Sequence, residues 1–182
     1  MDIFITLPGI GGSGRDHWQT LWEAADGRFH RFAPSNWDSP DLDDWIAALD
    51  AAVAASPVPP VLVAHSLACL LVAHWQALSR RDVRGAMLVA VPDPEGPAFP
   101  PQARSFAGPP ETPFRFPSLI VASADDPYAS AGHVRARSMH WGTRLVELGN
   151  LGHINAGSGL GSWPKGMVLL ETFLDETAPV LS

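Results

Sequence analysis

Residues 60–75 read Pro60-Val61-Leu62-Val63-Ala64-His65-Ser66-Leu67-Ala68-Cys69-Leu70-Leu71-Val72-Ala73-His74-Trp75. Val61 to Ala64 is a short β-branched run behind two prolines, as in a buried strand, and the run from Leu67 to Leu78, free of Gly and Pro, is long enough for a helix. A single serine, Ser66, stands where one passes into the other. Two roles fit such a serine: its hydroxyl can cap the helix, or the residue can sit on a sharp strand-to-helix turn as a nucleophile. The second role requires small residues two positions to either side, so that strand and helix can approach. Ala64 and Ala68 meet that requirement, and locally both roles stay open.

A serine becomes a useful nucleophile only when a base takes its proton, and the base needs an acid to fix its tautomer and balance the imidazolium that forms. Both groups follow on the expected elements. Pro117 to Ala122, a second β-rich run, opens into Ser123-Ala124-Asp125-Asp126-Pro127-Tyr128. Arg144 to Leu148 alternates as a strand does and opens into Gly149-Asn150-Leu151-Gly152-His153-Ile154-Asn155. Serine, acid and histidine thus appear in one order, each after its own strand. Asp125 and Asp126 compete for the acid position, because neighbours leaving a strand point different ways and only one can reach His153.

Ala-His-Ser-Leu-Ala, Ser-Ala-Asp-Asp-Pro-Tyr and Gly-His-Ile-Asn, following an opening Leu-Pro-Gly-Ile-Gly-Gly-Ser and with Trp45 between, resemble the small serine hydrolases of the retinoblastoma-binding protein 9 and YdeN type. The likeness spans nearly the whole chain. It implies a compact α/β-hydrolase core without a large lid domain and a triad of Ser66, Asp126 and His153, but no particular substrate. Asp126 takes the family position before Pro127, which leaves Asp125 as a turn residue bonded to its own loop. Ala68 departs from the glycine often found two residues after the nucleophile.

The opening loop, Pro8 to Gly14, places Gly9, Gly11 and Gly14 in G-x-G-x-x-G spacing after a strand. Dinucleotide binding is the weaker reading, since no acidic residue ends the second strand to meet a ribose, and no P-loop pattern is present. No cofactor is expected. An oxyanion hole suits the loop better: one backbone N–H would come from Leu67 and one from Gly9 or Ile10, brought close by the glycines.

Other reactive residues read as structural. His65 adjoins Ser66, and its ring is expected on the opposite side, in the core or behind the site. His17 and His74 belong to no set with metal-ligand spacing, so no metal is expected, and Cys69 reads as a small buried apolar residue. Of the seven tryptophans, Trp18, Trp22, Trp45 and Trp75 fall on helices and read as packing. Trp163, after the glycine-rich loop leaving His153, and Trp37, in the loop after the second strand, are candidates for a substrate pocket. Such a lining suits a neutral acyl or aromatic group.

Composition bounds the rest. The 182 residues, 46% hydrophobic and 17% charged with a net charge of −7, suit one α/β-hydrolase domain over residues 1–182 and exclude the clustered basic charge that nucleic acid or anionic membranes need. No apolar run is long enough for a membrane span. Met1-Asp2 lacks the basic start of a signal peptide, and the lone Cys69 allows no internal disulfide, so a cytoplasmic protein is expected. The remaining runs predict strands at Ile3 to Leu7, Phe29 to Ala33 and Ala86 to Val91. Helices are expected at Trp18 to Ala25, Leu42 to Ala55, Gly132 to His140 and about Trp163 to Leu174, with a proline-rich excursion from Pro92 to Pro117. Alternating strands and helices predict a mostly parallel twisted sheet covered on both faces, with the site at the carboxyl ends of its strands. A serine hydrolase acting on a small-molecule acyl substrate is the expected function; the alternative is a non-catalytic interaction module that keeps the fold.

Overall fold

The computed structural model describes residues 1–178. Six strands, β1 (Phe4–Leu7), β2 (Phe29–Arg31), β3 (Val61–His65), β4 (Gly85–Val89), β5 (Ser118–Ser123) and β6 (Arg144–Leu148), alternate with five helices, α1 (Trp18–Ala25), α2 (Leu42–Ala55), α3 (Leu67–Leu78), α4 (Ala131–Trp141) and α5 (Pro164–Glu176). The strands form one sheet in the order β2-β1-β3-β4-β5-β6, and every pair is parallel. The mostly parallel expectation is therefore met by an entirely parallel sheet. Among the described residues no helix is long and apolar enough to cross a membrane.

Both faces of such a sheet must be covered, so its strands carry apolar residues at nearly every position. Successive residues of β3 divide between two cores: Leu62 and Ala64 pack with Trp45 and Leu49 of α2 and with α3, while Val61 and Val63 pack with Trp18 and Trp22 of α1 and with α5. The chain passes from β1 to β2 on one side and then crosses back over β1 to β3 on the other, where the later strands follow. That reversal opens a crevice at the carboxyl ends of β1 and β3, where ligands bind in open α/β sheets.

Most boundaries shift by a residue or two from the sequence reading, and some of the shifts have clear local reasons. The fourth strand runs Gly85–Val89 rather than Ala86 to Val91, because Ala90 turns to a positive φ of 57° and ends it. The second stops at Arg31 rather than Ala33, shortly before Pro34. The last helix begins at Pro164, not Trp163: Trp163 is left-handed at φ 44°, and proline supplies the fixed φ of a first helical residue. The excursion from Pro92 to Pro117 holds one 3-10 turn, Pro101–Phe106.

The left-handed Trp163 folds its ring back over α5. A Cβ placed on Gly166 would lie 2.2 Å from the Trp163 ring, which is buried and cannot swing aside. Gly166→Ala is therefore expected to destabilise the fold by about 1–3 kcal/mol, despite alanine's higher helix propensity. Thermal unfolding checks this, with the midpoint expected to fall by roughly 2–4 °C per kcal/mol.

Candidate active site

Ser66 occupies the turn between β3 and α3 with φ 56° and ψ −125°, and its side chain makes no capping hydrogen bond. Of the two roles open at the sequence level, the cap is not the one its hydroxyl fills. A non-glycine residue held at positive φ is strained by about 1–3 kcal/mol and persists only where its surroundings determine it. Here the Ser66 N–H donates to Val89 O at 2.9 Å, and Ala64 and Ala68 are wholly buried on either side.

The three residues singled out by sequence meet across the strand ends. Ser66 Oγ lies 2.7 Å from His153 Nε2, and His153 Nδ1 lies 2.9 and 3.0 Å from the two carboxylate oxygens of Asp126. The Asp126 and His153 side chains are only 4% and 9% exposed, so little water competes for their charge. Asp126 Oδ1 also accepts the Tyr128 N–H at 2.9 Å, and the Tyr128 ring packs against the imidazole of His153 with centroids 4.4 Å apart. Asp125 turns away. Its carboxylate accepts from Ser123 Oγ and from the Gly152 N–H, both at 2.8 Å, which holds its pKa below the usual carboxylate value. It thereby stitches the acid loop to the histidine loop.

The glycine loop after β1 reaches the same point because β1 and β3 are neighbours. A Cβ on Gly9 would fall 3.0 Å from Ser66 Cβ, 3.2 Å from His65 O and 3.4 Å from Leu67 N, so only glycine lets the two turns touch without displacement. Gly11 and Gly12 spend their amides on Trp37 O and Gly9 O. Among the described residues no acceptor meets the amides of Ile10 and Leu67, and both residues line the cavity above Ser66. Arg31 secures the far end of the loop, donating to Gly12 O at 2.6 Å and to Thr20 Oγ1 at 2.6 Å.

His65 is buried behind the site as expected, but on a different side from the one its place on the strand suggests. Its ring faces α1, edge-on to His17 at 4.7 Å and 5.0 Å from the ring of His153, and its Nε2 lies 2.9 Å from the carbonyl oxygen of His153. Burial pushes its pKa well below the ordinary histidine value, so a neutral ring donates that bond and holds the histidine loop from beneath. His74, on α3, is bonded to Phe106 O at 3.1 Å. Cys69 is wholly buried, with Sγ 3.4 Å from Val89 O.

Neither tryptophan proposed for the pocket lines it. Trp163 is 3% exposed and lies tilted against Trp18 and nearly parallel to Trp22, because its left-handed backbone turns the ring into the core under α5. Trp37 packs on Phe32 and Trp45 and against Gly12, behind the glycine loop. Indirectly the aromatic cluster still serves the site. Trp18 Nε1 donates to Ile154 O at 2.9 Å and Trp22 Nε1 to Ser162 O at 2.6 Å, which clamps both ends of the loop leaving His153.

The cavity over Ser66 has a volume of about 460 Å³, and its apolar wall includes Phe99, Pro100 and Tyr128, with Gln102 and Asn155 as neutral polar groups. Phe99, Pro100 and Gln102 come from the proline-rich excursion, where no periodicity marks a residue as facing the site. Tyr128 and Asn155 were in view in the acid and histidine motifs, two residues beyond Asp126 and His153.

The profile of the family described as serine hydrolase matches residues 4–172. Among solved structures, a YdeN-like hydrolase from Pectobacterium atrosepticum is 29% identical, with a TM-score of 0.87 over 97% of this chain and 92% of its own. The ydeN gene product from B. subtilis is 22% identical, with a TM-score of 0.80 over 96% of this chain and all of its own. The esterase RhEst1 from Rhodococcus, at 15% identity and a TM-score of 0.70 over 97% and 91% of the two chains, shares the fold. Among curated protein sequences none matches.

Proposed function

The chain belongs to the serine hydrolase family, and from that premise we propose that it cleaves carboxylic esters of small molecules through an acyl-enzyme on Ser66. His153 Nε2 takes the hydroxyl proton as Oγ attacks the ester carbonyl, and Asp126 holds the ring with Nδ1–H toward itself and balances the imidazolium. The carbonyl oxygen, now an oxyanion, is met by the backbone N–H of Leu67 and by that of Ile10 or Gly9. The imidazolium then gives its proton to the departing alcohol, and the acyl group stays on Ser66. Water attacks in turn, with His153 again as base, and releases the acid. Thioesters and amides share this chemistry; esters are favoured over amides because an alcohol leaves the tetrahedral intermediate more readily than an amine.

The observation that carries the proposal is the continuous line from Ser66 Oγ through His153 to Asp126 at 2.7 and 2.9 Å, with the serine strained rather than capping. The proposal includes a cytoplasmic location, since the lone, buried Cys69 is free and fits a reducing compartment. A fluorophosphonate probe tests the chemistry directly. One label per chain, mapped to Ser66 by peptide mass, is the expected result, followed by turnover of p-nitrophenyl esters of graded acyl length. An unlabelled protein that is folded by circular dichroism refutes it.

A further inference from the structure

His17, whose ring borders the cavity, holds one buried hydrogen-bond donor that nothing among the described residues receives. His17 caps α1: its Nδ1 accepts the Gln19 backbone N–H at 3.2 Å, so in the neutral ring the proton sits on Nε2. The ring is neutral, since burial, with Arg31 and His153 nearby, pushes its pKa down to about 4. His17 is 4% exposed, and among the described residues its buried Nε2 meets no acceptor. The ring beside it, His65, has its own Nε2–H committed to His153 O. Buried donors in folded proteins almost always have partners, because an unmet one forfeits its hydration without return.

His17 lines the same cavity as Ser66, and no Lys, Arg, Asp or Glu does. A charged ligand would therefore be desolvated there without a counter-ion, whereas an oxygen acceptor on a neutral ligand would satisfy His17. Resting on the serine hydrolase reading, we infer that the substrate is an uncharged ester carrying a second oxygen acceptor besides its carbonyl, and that His17 Nε2–H binds that oxygen. His17 is on this view a specificity contact. A site built to bond a substrate oxygen discriminates strongly against the analogue that lacks it.

Matched esters test the inference. p-Nitrophenyl methoxyacetate against the butyrate places an ether oxygen in the acyl chain; glyceryl against n-propyl butyrate places hydroxyls on the alcohol. In each pair the ratio of kcat/KM is compared between the wild type and two variants, His17→Phe and His17→Asn, so that intrinsic reactivity cancels. Asn keeps a good helix cap while withdrawing the long-reaching donor, which keeps the test valid if the Phe variant folds poorly. In at least one pair the ratio is expected to fall by about tenfold or more. Ratios unchanged in both pairs for His17→Asn overturn the inference and leave His17 a helix cap only. The same pairs titrated calorimetrically onto Ser66→Ala separate the two readings. Discrimination there that His17→Asn abolishes supports the subsite even if the wild type turns over no ester, whereas ester turnover with no His17-dependent ratio sinks the subsite and leaves the hydrolase standing.

Discussion

Ser66→Ala is expected to lower kcat for a p-nitrophenyl ester by about six orders of magnitude, to abolish fluorophosphonate labelling, and to leave circular dichroism and thermal unfolding close to wild type. The change removes the atom that would bond to the substrate and relieves no packing, since the Ser66 hydroxyl makes its contact with His153 alone among the described residues. His153→Ala is expected to be nearly as inactive, and the double variant scarcely worse than either. Residues that act as one unit are not additive, and what survives is the share of the oxyanion hole and of binding. Single-turnover kinetics on purified variants check this. Residual activity within tenfold of wild type in Ser66→Ala would assign the nucleophile elsewhere.

Asp126→Asn should cost about four orders of magnitude in kcat. The carboxylate bonds Nδ1 of His153 through both oxygens; an amide presents an N–H to that nitrogen, stabilises the other tautomer and cannot balance an imidazolium. Asp125→Asn should cost no more than about tenfold, the scale of one hydrogen bond, because the Asn oxygen still accepts from Ser123 and Gly152. Comparing kcat for the two variants at one pH decides between the neighbours. Equal losses would mean that the stitching of the two loops, rather than the charge on His153, sets the rate.

What the sequence could disclose follows from how each feature is encoded. Strands buried on both faces demand continuous apolar runs, and the loops after them carry the polar exceptions, so Ser66, Asp126 and His153 stood out as interruptions of otherwise apolar text. The flanking alanines of Ser66 were legible for the same reason: the turn tolerates nothing larger. Pocket walls are encoded differently. Trp163 follows the histidine loop closely in the chain, yet a single left-handed residue redirects its ring to the core, and nothing in its neighbours announces that φ. Phe99 and Gln102 reach the cavity from an excursion whose path is set by tertiary contacts, not by period. The burial of His65 is legible but its nearness to His153 is not, because strand alternation predicts only the face a side chain leaves from. Which loop then lies over that face depends on α1 and β6, distant in sequence.

The clamp formed by Trp18, Trp22 and Trp163 also has an optical consequence. Their ring centroids lie 4.7, 5.1 and 6.2 Å apart, close enough for the indole transitions to mix, and two of the three hold the loop that carries His153. The protein thus carries its own chromophore for the seating of that loop. A split tryptophan band in circular dichroism should be present in the native state and lost in Trp18→Phe, which leaves only the nearly parallel Trp22–Trp163 pair, and where it fades ahead of the far-ultraviolet signal on heating, the histidine loop lifts before the sheet melts.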